Sequence, residues 1–232
     1  MGGAGVAAIV VYPLAFYSSM HLAGVAVGTV VSLGSAPVFA AGIEFLAERR
    51  RVTPRWGLCT LAALAGTGLL VLGGSIGAAE VSGAPVGALL GVLAGFSYAL
   101  YTHASHQLIG AGHSPRATMG ALFGVTAVCL VPVLLVTGAP LLQSAGSAGI
   151  AAYLAIGPMC AAYLLFGHGL RSVRGSLATS ITLLEPLVAT VLAVLVVGER
   201  LTPPAWAGLC LLLVAVTALV SLDNRERMSI SR

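Results

Sequence analysis

Eight apolar stretches, each close to the length a helix needs to cross a bilayer, follow one another almost without pause along these 232 residues. A spanning helix takes about 20 predominantly apolar residues. The stretches run over residues 4–20, 23–46, 56–76, 84–107, 118–138, 147–168, 173–197 and 204–222. Between them lie polar or turn-prone residues: Glu48 to Arg55, Glu80 to Pro85, Gly110 to Arg116, Gly138 to Gly146, Arg171 to Arg174, and Glu199 to Pro204. The first break, Met20 to Gly24, is the weakest. A single helix over residues 4–46 would still overshoot the bilayer about twofold, so two spans are expected there. The expected fold is therefore an all-α polytopic membrane bundle of about eight helices, with loops too short for a soluble domain.

Composition closes off the alternatives. Charged residues make up 8% of the chain and mean hydropathy is +1.03, whereas a soluble domain carries about 25% charged residues. Lipid has to cover this surface. The 30 glycines lie inside apolar runs and show no three-residue period, which excludes a collagen-like chain. The net charge of +4 comes from arginine alone. Those arginines cluster between apolar runs without interleaved aromatics, so nucleic acid is not an expected partner. Cys59, Cys129, Cys160 and Cys210 lie far apart in apolar stretches and are expected to be buried small hydrophobes. Residues Met1 to Val10 lack the positive segment of a secretory signal.

Arginine placement predicts orientation. Arg49, Arg50, Arg51, Arg55, Arg116, Arg171, Arg174, Arg225, Arg227 and Arg232 follow even-numbered spans, and only Arg200 follows an odd one. Positive residues stay in the cytoplasm, which places both termini on the cytoplasmic side of a bacterial inner membrane.

The chain also repeats itself. Ser35-Ala36-Pro37, an apolar run, Glu48-Arg49 and Trp56-Gly57-Leu58-Cys59 find a counterpart in Leu184-Glu185-Pro186, an apolar run, Glu199-Arg200 and Trp206-Ala207-Gly208-Leu209-Cys210. Pro37 lies in the second span and Pro186 in the seventh. An odd number of spans separates them, so the two copies are expected to cross in opposite directions. Inverted repeats of this kind build secondary transporters that expose one midplane site to each side in turn.

A small-residue span with a mid-span proline, then Glu-Arg, then a tryptophan-led span resembles the EamA-type branch of the drug/metabolite transporter superfamily. The resemblance covers nearly the whole chain and is strongest over Leu183 to Gly208. It implies ten spans in two inverted five-span halves. Residues 1–76 would then be the last three spans of the first repeat, and residues 77–232 the complete second repeat with a short cytoplasmic tail. Two N-terminal spans would be absent, through a true short form or a start placed too far downstream. The resemblance also implies that the spans of Pro37 and Pro186 line a central cavity.

Glu185 is the one acidic residue at the middle of a span, where a carboxylate costs roughly 2.5–3.5 kcal/mol on insertion scales. Its counterpart in the first copy is Ala36, so the proline motif does not need the acid to fold. Glu185 is thus a candidate for the substrate path or a proton relay. Pro37 and Pro186 each remove a backbone bond and are expected kink sites. Ser176, Thr179, Ser180 and Thr182 precede Pro186, and Ser32 and Ser35 precede Pro37. Those hydroxyls either meet a solute or satisfy the opened backbone, the second reading being favoured for any one of them. Tyr98, Tyr101 and Tyr163 complete the substrate-path candidates, interfacial belts being the commoner use of such residues. Glu44, Glu48 and Glu199 are expected at the interface. His103 and His106 share a helix face, yet no carboxylate or cysteine is expected to join them, so neither a metal nor any other cofactor is expected. Gly87, Gly91 and Gly95 form a flat strip for close helix packing.

The function expected is transport of a small metabolite, amino acid or drug-like solute by alternating access, without enzymatic chemistry. The expected partners are that solute and lipid, with a homodimer allowed. A non-transporting subunit completed by another chain is one alternative. The other is a membrane hydrolase built on His168, Ser176 and Glu185, which lacks a nucleophile turn.

Overall fold

The computed structural model describes residues 2–49, 53–74, 84–197 and 201–230, and these are almost entirely helical, with no strand among them. The helices are α1 (Gly2–Ala23), α2 (Val25–Glu48), α3 (Pro54–Gly74), α4 (Ala84–Gly110), α5 (Pro115–Thr137), α6 (Ala145–Leu154), α7 (Ala162–Gly169), α8 (Gly175–Ile181), α9 (Leu184–Leu192) and α10 (Pro203–Ile230). A π-helical stretch, Ala155–Ala161, joins α6 to α7 around Pro158, and another, Ala193–Val197, extends α9. Ten helices thus make eight spans, because the sixth and seventh are interrupted. By length and composition, seven spans among the described residues can cross a membrane, and α3 adds a further 21-residue helix. The Glu199-Arg200 corner, Glu80 in the break before α4, Arg50, Arg51, Arg232 and the expected repeat boundary at residues 76 and 77 lie outside the described residues.

The weak first break is real and sharp. Gly24 takes φ +85 between α1 and α2, a left-handed conformation that costs glycine little. The other ends carry conventional signals. Ser114 accepts a hydrogen bond from the Ala117 N–H at 3.2 Å, with Pro115 at the first helical position, and Ser144 caps α6 through the Ser147 N–H at 3.0 Å.

Two pairings organise the bundle. The first centres on α4, along which α1 and α2 both lie. The glycine strip is the contact: a Cβ at Gly87 would sit 2.6 Å from the Ala23 backbone, and one at Gly91 2.9 Å from Ser19 Oγ. Only glycine lets the helices approach this closely. The second pairing is α3 with α10. They cross where a Cβ on Gly66 would meet Leu212 N at 2.7 Å and one on Gly208 would meet Gly66 O at 2.6 Å. Leu33, Ala63, Leu183, Leu212, Ala215 and Val216 fill the space beside that crossing.

Burial falls away across the molecule. No residue of α6 or of the π stretch after it is buried, whereas α1 and α2 contribute many. The cysteine expectation fails for the same reason. Cys129, Cys160 and Cys210 are exposed, Cys59 is half-buried, and all four are free thiols. In a bilayer the outside of the bundle is as apolar as its inside, so an apolar stretch does not imply burial.

Candidate functional site

The aromatic residues gather rather than spread. Tyr98 and Tyr101 are three residues apart on α4 and therefore share a face. Tyr12 reaches them from α1, Phe123 from α5, and Tyr163 and Phe166 from α7. Ring centroids lie 5.1 Å apart for Tyr98–Tyr101, 5.3 Å for Tyr12–Tyr98 and 4.6 Å for Phe123–Tyr163, the range in which tilted and edge-to-face rings attract. Tyr98 and Tyr101 are buried and Tyr12 and Tyr163 half-buried. The Tyr101 hydroxyl oxygen is buried without a hydrogen-bond partner. These tyrosines form a packed cluster inside the bundle and not a belt at its rim.

The seventh span breaks at Thr182 and Leu183, between α8 and α9. Pro186 has no N–H to give the Thr182 carbonyl four residues back. The Glu185 N–H takes that carbonyl instead, at 2.9 Å. Glu185 thus opens α9 in its first turn, where the helix dipole favours an acid. Its side chain is exposed and within electrostatic range of Tyr12, Tyr98 and Tyr163. Thr182 lies beside Tyr98. The proline of the first copy behaves differently, since α2 runs through Pro37 without interruption.

Most of the candidate hydroxyls are occupied by backbone. Thr179 Oγ1 donates to the carbonyls of Gly175 and Ser176 at 3.0 Å, Ser180 Oγ to that of Ser176 at 2.8 Å, and Thr182 Oγ1 to that of Thr179 at 2.8 Å. Ser35 leans toward the Ser32 carbonyl at 3.4 Å. Both serines face Gly95 of α4 at the helix crossing. Ser32 Oγ is buried without a partner.

Ser176 has a different role, tied to a residue that sequence placed at the interface. Glu44 of α2 is only 4% exposed. Its Oε1 accepts from the Ser176 N–H at 2.8 Å and its Oε2 from the Ser176 hydroxyl at 2.6 Å. Arg174, at the N-cap of α8, gives no side-chain cap, so Glu44 caps that helix from another span. Glu48, one turn on, accepts from Gln107 Nε2 at 2.7 Å and lies 3.9 Å from His103 Nδ1. His106 Nδ1 meets the Leu170 carbonyl at 2.9 Å. His103 is buried too, and Glu44, expected at the interface, is instead enclosed within the bundle. A signal existed: two acids four residues apart on one helix repel unless something else holds them.

The remaining features do not compete. A groove of about 530 Å³ between α2 and α3, lined by Phe45, Trp56, Leu61 and neighbours, holds none of the candidates. His168 is exposed at the end of α7, and the Ser176 hydroxyl is committed to Glu44, so the hydrolytic trio is not assembled. Among the described residues, no group of three or more His, Cys, Asp or Glu is placed to hold a metal ion.

Known proteins share this chain's pattern. Residues 85–221 match the EamA-like transporter family. The uncharacterized transporter YwfM of Bacillus subtilis is 33% identical over 216 residues, covering 93% of this chain and 71% of that protein. The uncharacterized inner membrane transporter YicL of Salmonella typhimurium is 28% identical over 216 residues, covering 92% of this chain and 70% of its own. A crystal structure only 20% identical superposes with a TM-score of 0.73 over 94% of this chain and 76% of its own, and so has the same fold.

Proposed function

The chain belongs to the EamA-like transporter family, and from that premise we propose that it moves a small solute by alternating access, along a path that passes Glu185 and the tyrosine cluster. It is a multi-pass membrane transporter; the proposal concerns how it works and where. The bacterial inner membrane is the setting, with both termini in the cytoplasm and α2 and α8–α9 as counterparts in two inverted repeats.

The observation that carries this reading is the tie between Glu44 and Ser176. It joins one expected repeat to the other at the end of the bundle flanked by Arg49, Arg171 and Arg174. Ser176 is six residues from Thr182, about 9 Å of helical rise, so in this reading the tie is the gate on the arginine side of the solute path. Hydrogen bonds between two rigid elements can be exchanged for others, as bistable packing requires. Carriers in which inverted repeats rock around a midplane site use this logic. Breaking the tie opens the arginine side.

Purified protein in liposomes tests it. In a chain with Cys59, Cys129, Cys160 and Cys210 replaced by alanine, Glu44→Cys with Ser176→Cys is oxidised to a disulfide. Solute counterflow should stop on oxidation and return on reduction. Counterflow that continues at full rate across the locked pair would sink alternating access through this contact.

A further inference from the structure

We infer that the groove between α2 and α3 holds an anionic phospholipid, with an acyl chain lying along the groove and the phosphate reaching Arg49 and Arg55. The inference goes beyond the transport reading and does not depend on it.

The groove is apolar and faces outward. Its volume is about 530 Å³, within the roughly 300–1,000 Å³ of ligand-sized clefts. Val38, Phe45 and Leu61 line it and are exposed. Gly42 and Gly57 open it further, because a Cβ added at either would meet nothing within 4 Å. These glycines differ from Gly66, Gly87 and Gly208, where the missing Cβ lets a second helix approach. At Gly42 and Gly57 no described residue takes up the space, so in a bilayer a lipid chain does. Atoms beside an unfilled gap lose their dispersion contacts, which favours an occupant that follows the groove.

Charge at one end makes that occupant specific. Arg49 is the C-cap of α2, one turn beyond Phe45, and Arg55 stands in the first turn of α3 beside Trp56. Both arginines are exposed. The acids of α2 are turned elsewhere, Glu44 to Ser176 of α8 and Glu48 to Gln107 of α4. Residues 48–55 hold four arginines and one glutamate, whereas their counterparts in the second copy, residues 199–205, hold one of each. The corner therefore does not need an excess of positive charge to fold. Arginine meets a phosphate with a fork of N–H donors, and basic pockets between spanning helices hold anionic headgroups. A choline or ethanolamine headgroup would bring its own cation against these arginines. Thr60 lines the groove five residues after Arg55, about 7 Å of helical rise, which is close to the depth of one interfacial layer. Its hydroxyl is buried without a protein partner, at the level where a glycerol ester carbonyl lies.

The test uses the chain's two tryptophans, Trp56 in the groove and Trp206 on α10. The full chain with Trp206→Phe is reconstituted in phosphatidylcholine vesicles and titrated with lipid brominated on its acyl chains, which quenches an indole on contact. Brominated phosphatidylglycerol should half-quench Trp56 at about one-fifth of the mole fraction that brominated phosphatidylcholine needs, or less, since an arginine near an anionic lipid is worth about fivefold. Arg49→Gln with Arg55→Gln should bring the ratio close to one, and salt at about 1 M should shrink it by screening. Gly42→Leu, which fills the groove, should weaken quenching of Trp56 by either lipid. In a Trp56→Phe chain, Trp206 should be quenched alike by both. Equal quenching of Trp56 by the two lipids would overturn the inference, as would a preference that ignores both the arginine pair and salt, or the same preference at Trp206. Quenching of Trp56 by neither lipid would also overturn it, and a dimer in that sample would give the groove to a second copy. If the double arginine variant does not fold, the salt series and the Trp206 comparison decide.

Discussion

Glu44 on α2 and Ser176 on α8 meet through two hydrogen bonds, 2.8 and 2.6 Å long, although 132 residues separate them in the chain. Truncating one partner strands the other. A buried acceptor left unsatisfied costs about 1–3 kcal/mol. Ser176→Ala keeps the backbone N–H and should lose about 1–2 kcal/mol, while Glu44→Ala removes both bonds and the cap of α8 and should lose more. Thermal unfolding in detergent reads the order. Equal stability of Glu44→Ala and the unaltered chain would mean that the tie is not structural.

Two glycines on α3 stand two residues apart and should respond oppositely. A Cβ at Gly66 meets Leu212 N at 2.7 Å, whereas one at Gly68 meets nothing within 4 Å. Gly66→Ala should destabilise by about 1–3 kcal/mol through overpacking. Gly68→Ala should be neutral or stabilise by up to about 1 kcal/mol, from helix propensity alone. The same unfolding assay decides, and a tolerated Gly66→Ala would show that the α3–α10 contact is looser than described.

The two prolines should also separate. Pro186 accompanies a true break at Thr182 and Leu183, while α2 runs through Pro37. Pro186→Ala lets the Thr182 carbonyl regain its helical partner, straightens the seventh span and moves Glu185. Counterflow should fall at least tenfold for Pro186→Ala and only a few-fold for Pro37→Ala. Equal effects would mean that the break does not position the acid.

Orientation can be read directly. In the cysteine-free chain, Gln143→Cys and Arg171→Cys place single thiols in two exposed turns, after α5 and after α7. The arginine pattern assigns these turns to opposite faces. An impermeant maleimide should label position 143 in intact cells and position 171 only after permeabilisation. Labelling of both from outside would overturn the assignment.

The spans were legible because a run of about 20 apolar residues has one physical use, and each expected span falls on a helix or, for the sixth and seventh, on an interrupted helical run. The strip of Gly87, Gly91 and Gly95 was legible from its four-residue spacing, which brings small residues to one helix face. Glu44 was not. Its burial depends on α8 arriving from far along the chain, and no local pattern records that. Tyr12 was passed over for a related reason. One tyrosine in an apolar span gives no sign of its neighbours until Tyr98, Tyr163 and Glu185 are set around it. The cysteines misled because lipid accepts an apolar side chain on the outside of the bundle as readily as the core does.

At Gly66 and Gly208 two helical backbones touch with no side chain between them. Such a contact has no rotamers to rearrange and no slack in which to slide, so under any rocking of the bundle α3 and α10 would turn together as one axle. Any swing of the remaining helices would then grow with distance from that axle.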